Sequence, residues 1–181
     1  MKIGIFFFAA AAAFAQAPLK VAAINPGAPA APLSMRQSIV DAEKRLDLKL
    51  DQVGGAERAN RVYVLGLTRG LYLAGYGAVF TEELDLIESP HPNPFRQQIG
   101  KQEADGVHQR KLANLAALRK AMRDMWAEAA ASLSNMPDNE QVVLAVRLLY
   151  QPWEDTTGLP SQVVIKGSRR AGAAAAQMEE Q

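Results

Sequence analysis

The chain has 181 residues, with 20 Lys and Arg against 19 Asp and Glu and a formal net charge of +1. Hydrophobic residues make up 49% and charged residues 22%. These are globular-domain proportions, which excludes a disordered polyampholyte, a collagen-like chain and a charged tail protein.

The one long apolar run lies at the N-terminus, MKIGIFFFAAAAAFAQA. Lys2 supplies a short positive region, Ile3 to Ala15 is continuously apolar, and Ala13-Phe14-Ala15 and Ala15-Gln16-Ala17 both fit a small-x-small cleavage site. The run is shorter than the ~20 residues that cross ~30 Å of hydrocarbon, and Pro18 blocks its continuation as a helix. A signal peptide over residues 1–17 is therefore expected, with cleavage after Ala17 or, alternatively, after Ala15. The protein would then be secreted or periplasmic, with no stable membrane insertion after cleavage. Its loss removes Lys2 and leaves 19 cations against 19 anions, so no global field steers the chain to nucleic acid. The absence of cysteine excludes a disulfide framework, a thiolate nucleophile, a Cys-ligated zinc and an iron–sulfur cluster.

Residues 18–33 are rich in Ala and Pro without hydrophobic period, which predicts an extended leader. Residues 34–166 read as a single domain. Met35, Ile39, Ala42, Leu46, Leu50 and Val53 recur at steps of three and four, one stripe of a first helix ended by Gly54-Gly55. Ser34 with Gln37 fits a capping box, and Asp41 with Arg45 an i,i+4 ion pair. Residues 61–87 change to Val, Leu, Tyr and Phe punctuated by glycine, predicting strands at 61–67, 70–74 and 77–87. Turns are expected near Thr68-Arg69-Gly70 and Gly75-Tyr76-Gly77. Glu82 falls on the mostly apolar face of the third strand, an awkward place for a carboxylate, and is expected where that strand leaves the core.

Prolines 90, 92 and 94 mark a surface loop over 88–100. A long helix follows over 101–134, about 50 Å if unbroken, with Gly106 inviting a separate first turn. Its stripe runs through Leu112, Leu115, Met122, Met125, Trp126, Ala129 and Leu133. QVVLAVRLLY at 141–150 and SQVVIK at 161–166 read as two further strands joined by a loop. The residues from 167 to 181 are low in complexity and predict a disordered tail.

Candidate chemistry is sparse. His91 and His108 are the two histidines, and His108 shares helix phase with Asp105, but no HExxH or HxH spacing proposes a metal. Glu82, Glu83, Asp85 and Glu88 cluster, yet alternation divides them between two strand faces. Arg96, Lys101, Arg110, Lys111, Arg119, Lys120 and Arg123 outweigh Glu103 and Asp105, as a solvated helix face would. Tyr72, Tyr76, Phe80, Trp126 and Tyr150 suit a core. Trp153, Glu154 and Asp155 lie in the loop between two strands, where an exposed indole needs something to pack on it; they are the candidate binding residues. No GxSxG elbow, GxxxxGK[ST] loop or GxGxxG opening a helix is present.

The segment LYLAGYGAVF, residues 71–80, resembles a stretch found in uncharacterised exported bacterial proteins, and NEQVVLAVRLLYQPWEDTTGLP, residues 139–160, is similar to part of the same group. The resemblance implies export and assigns no activity.

The expected fold is α+β: a mainly antiparallel sheet of four to five strands with two packed helices, one of them long. The element order is loosely similar to profilin-type and roadblock-type domains, a likeness of fold alone. The expected function is that of an exported, non-enzymatic module that binds a protein partner or a second copy of itself, with no nucleic acid, cofactor or metal. The alternative is a hydrolase or metal-dependent enzyme built on His91, His108 and nearby carboxylates. No catalytic residue is assigned.

Overall fold

A computed structural model describes residues 33–181, apart from 56, 58 and 59. The expected signal peptide at 1–17 and all of the expected leader but its last residue lie outside the described residues.

The elements run α1 (Leu33–Leu50), β1 (Tyr63–Val64), β2 (Arg69–Leu73), β3 (Gly77–Asp85), α2 (Lys101–Ser132), β4 (Gln141–Leu148), β5 (Gln162–Ser168), two 3-10 turns (Arg169–Ala171 and Ala173–Ala175) and β6 (Gln177–Glu180). The fold is α+β, with two helices on a mostly antiparallel six-stranded sheet. The strand order is β1-β3-β4-β5-β6, and β2 pairs with β3.

The apolar stripe of α1 is buried at every predicted position, from Met35 to Val53. It meets α2 residues Leu115, Leu118, Met122, Met125 and Trp126 and the inward sheet residues Phe80, Leu84, Val142, Leu144, Val146, Val163 and Ile165 in one core. The polar side of α1 departs from expectation. Gln37 donates to the Asp41 carboxylate rather than capping the helix, and Arg45 Nε bonds the Asp41 backbone carbonyl rather than its carboxylate.

Residues 61–73 do not form two strands joined by a hairpin. β1 and β2 both run antiparallel to β3, with Tyr63 opposite Asp85 and Val64 opposite Leu84, then Arg69 opposite Thr81. Four residues, Leu65 to Thr68, thus face only Glu82 and Glu83. β1 and β2 are one edge strand interrupted by a two-residue bulge. Carboxylates of α1 hold the bulge and the strand after it: Asp47 accepts from Thr68 N–H at 2.8 Å and Glu43 from Gly70 N–H at 2.6 Å. The Gly75–Gly77 turn forms as predicted, with Gly75 and Gly77 at positive φ. A side chain at Gly77 would overlap the Gln141 backbone. Glu140 fastens the turn by accepting from Gly75 N–H at 2.9 Å and Tyr72 O–H at 3.2 Å.

The sheet contains one parallel pair, β3 with β4, in register from Gly77↔Gln141 to Leu84↔Leu148. This one crossover is made by α2, whose 32 residues carry the chain back to the start of β3, while the rest of the sheet is antiparallel as expected. The helix runs through Gly106 without a break. Residues 167–181 are not a disordered tail: β6 adds to β5 from Val163↔Glu180 to Lys166↔Gln177. Arg119 of α2 grips Glu180 with two bonds of 2.5 and 2.7 Å, and Ser161 N–H donates to Gln181 O. Ordering the segment also brings the strand count to six rather than four or five.

Candidate functional site

Both helices share one face of the sheet. Among the described residues no helix covers the opposite face, and its residues follow from the register. One row across it reads Leu71, Val79, Val143, Lys166, Gln177; the next reads Arg69, Thr81, Ala145, Val164, Glu179. The interrupted edge strand alternates with period two and sends its odd residues outward. Tyr63, Leu65, Leu67, Leu71 and Leu73 are each about half exposed or more. Beside the bulge, a concavity of about 460 Å³ is walled by Leu65, Leu67, Arg69, Ala145 and Arg147. Arg147 pairs with Glu83 at 3.1 Å and Lys166 with Glu179 at 2.7 Å, so charge frames the apolar rows.

The bulge also explains Glu82. Where the edge strand bulges away from β3, Glu83 N–H bonds Glu82 Oε1 at 3.3 Å. Glu82 is 6% exposed and its other carboxylate oxygen has no partner. Burial raises its pKa against the opposing pull of hydrogen bonding from Thr68 and the Glu83 backbone, with smaller upward pushes from the charges of Asp47 and Glu83.

A second polar cluster forms where the loop after β4 crosses α2. Lys111 is fully buried, not on a solvated helix face. Its ammonium binds Asp85 at 2.5 Å and Glu154, and lies 5.0 Å from the centre of the Tyr150 ring. Tyr150 donates to Pro160 O at 2.6 Å. Its phenol is pushed well above the usual range, first by burial and then by the charges of Asp85 and Glu154. Asn114, one turn on, donates to Asn60 O at 2.6 Å and Leu86 O at 2.7 Å.

The candidate binding residues Trp153, Glu154 and Asp155 therefore do not act alike. Glu154 turns inward as a counterion of Lys111, with a side chain 1% exposed. Trp153 is half-buried rather than exposed, and its indole N–H is buried without a partner. Asp155 is exposed; its backbone carbonyl meets His108 Nδ1 at 2.9 Å, and the side-chain and backbone hydrogen bonds of Thr157 lower its pKa.

The four clustered acids occupy separate surroundings. Glu82 is under the bulge and Glu83 is exposed on the uncovered face, while Asp85 meets Lys111. Glu88 and His91 line a cavity at the end of β3. Among the described residues no three His, Asp or Glu side chains converge to hold a metal ion. No helix among them is long and apolar enough to cross a membrane.

Sequence reasoning missed Lys111, although a signal was present. It stands four residues from both Val107 and Leu115, inside the buried stripe of α2. No protein-family model, curated protein or solved structure matches the chain.

Proposed function

We propose that the protein is an exported, non-enzymatic module that assembles with a second copy of itself through the uncovered face of its sheet. The observation that carries this reading is the outward row of the interrupted edge strand, Leu65, Leu67, Leu71 and Leu73, each between 46% and 63% exposed. Contiguous apolar surface rimmed by charge is characteristic of interaction sites. The row Arg69, Thr81, Ala145, Val164, Glu179 begins with a cation at one edge and ends with an anion at the other. A two-fold axis parallel to the strands lays Arg69 of each copy over Glu179 of the other. The face is thus complementary to itself, as an isologous interface requires. The export component rests on the layout of residues 1–17.

Sedimentation equilibrium on the mature protein tests the assembly. A dimer is expected for the wild type and a monomer with unchanged far-UV circular dichroism for the double variant Leu71→Glu/Val79→Glu. A monomeric wild type overturns self-assembly, and a dimer unaffected by the variant overturns the choice of face. Intact-mass analysis of protein from the native host tests export, with residues 1–17 expected to be absent; protein that retains Met1 overturns it.

A further inference from the structure

The parallel pair ends on a cavity of about 300 Å³, at the small end of the range for ligand pockets. After Asp85, β3 continues through Ser89 and His91 along one wall; after Leu148, β4 continues through Leu149 and Tyr150 along the other. Crevices outside the carboxyl ends of parallel strands bind ligands because the two chains diverge there and leave a cleft.

The wall has a consistent chemistry. Tyr63 and Tyr150 provide aromatic surface, and Asp85 and Glu88 provide carboxylates. Ser89, itself only 3% exposed, contributes to the wall, and its hydroxyl has no hydrogen-bond partner. A buried polar group without a partner is uncommon in a folded chain and marks a place where something else can supply the bond. Behind this wall the single ammonium of Lys111 is shared between two carboxylates, Asp85 and Glu154, so the buried cluster keeps an excess of negative charge. Aromatic faces beside carboxylates suit an organic cation. Among the described residues no three ligating side chains converge around this cavity.

We propose that this cavity binds a small organic ammonium ion, with its charge towards Asp85 and one N–H donated to the Ser89 hydroxyl. The cavity adjoins the uncovered face, sharing Tyr63 and Leu65 with its outward row, but its chemistry does not depend on the assembly proposed there.

Titration of the full mature chain with benzylammonium, benzyl alcohol and benzoate tests it, read by the NMR shifts of the His91 ring and the Ser89 amide. Benzylammonium is expected to saturate near about 1 mM, with benzyl alcohol at least ~5-fold weaker and benzoate not saturating. Tyr63→Ala and Ser89→Ala, which leave the Lys111 pairs intact, are each expected to weaken benzylammonium about 5-fold. Three results overturn the proposal: no saturation by benzylammonium, equal binding of benzoate or benzyl alcohol, or saturation whose shifts lie away from His91 and Ser89. Unchanged affinity in both variants also overturns it.

Discussion

Lys111 and Glu154, 43 positions apart in the chain, meet as an ion pair in which each side chain is 1% exposed. Asp85 supplies a second carboxylate at 2.5 Å. One ammonium thereby ties together the middle of α2, the end of β3 and the loop between β4 and β5. Desolvation makes such a pair a weak source of net stability, but removing one partner leaves an uncompensated buried charge. Lys111→Met is therefore expected to lower unfolding stability by about 3–5 kcal/mol in urea denaturation. Combining it with Asp85→Asn and Glu154→Gln should recover part of that loss. A single variant within ~0.5 kcal/mol of wild type would contradict the burial of the charge.

Glu82 predicts a pH dependence of definite sign. Its folded pKa is raised by burial, so between the unfolded and folded values the native state holds more protons than the unfolded chain. Stability from this group is present below the unfolded value and is lost as pH rises through the folded one. Glu82→Gln cannot ionise, so it should be more stable than wild type above that window and close to it below. Thermal midpoints of both proteins across the mildly acidic to neutral range measure this. The comparison cancels the opposing contributions of Asp155 and Glu180, whose pKa values are lowered by hydrogen bonds from Thr157 and Arg119. Parallel pH profiles would contradict the assignment to Glu82.

The C-terminal strand predicts a pattern of hydrogen exchange. Gln181 N–H donates to Gln162 O at 3.1 Å, and β6 pairs with β5 over four residues. Amides at the free end of a chain exchange almost at once, whereas ladder amides exchange through local opening. Slow exchange is expected at Gln181 and within β6, faster after Arg119→Ala and only slightly changed in Glu180→Gln. The Arg119–Glu180 pair is partly exposed and worth at most about 1 kcal/mol. Immediate exchange throughout 177–181 would contradict the strand.

Legibility followed the physics of each element. The α1 stripe was readable because period 3.6 and burial coincide at every position from Met35 to Val53. β4 and β5 were readable as apolar runs, whereas Glu82, expected where the strand leaves the core, is instead buried beside the bulge. The bulge at Leu65–Thr68 was not readable, because its register is set by Asp47 and Glu43 on a distant helix. β6 was hidden because GAAAAQMEEQ has little intrinsic strand preference; its order comes from the open edge of β5 and from Arg119. At the candidate site, Trp153, Glu154 and Asp155 read as one loop in the sequence. The inward turn of Glu154 depended on recognising that Lys111 breaks the α2 stripe and needs a counterion. The uncovered face was implicit in the alternating leucines but depended on both helices choosing the same side.

Gly167 supplies the most local test of the core. Trp126 is fully buried, and its indole donates to Val142 O at 2.8 Å. Gly167 lies opposite Val142 on the next strand, and a Cβ there would stand 2.9 Å from Trp126 Cζ2 and 3.2 Å from Ala176 Cα. The indole cannot retreat without losing its hydrogen bond, and the Ala176 backbone is held by the connection to β6. Gly167→Ala should therefore cost about 1–3 kcal/mol, the usual range for overpacking. Trp126→Phe removes the ring atom in conflict, though it destabilises the core for its own reasons. Adding Gly167→Ala to that background should cost at least ~0.5 kcal/mol less than in wild type, a coupling that a double-mutant cycle in urea resolves. Strict additivity would mean that the glycine does not make room for the indole.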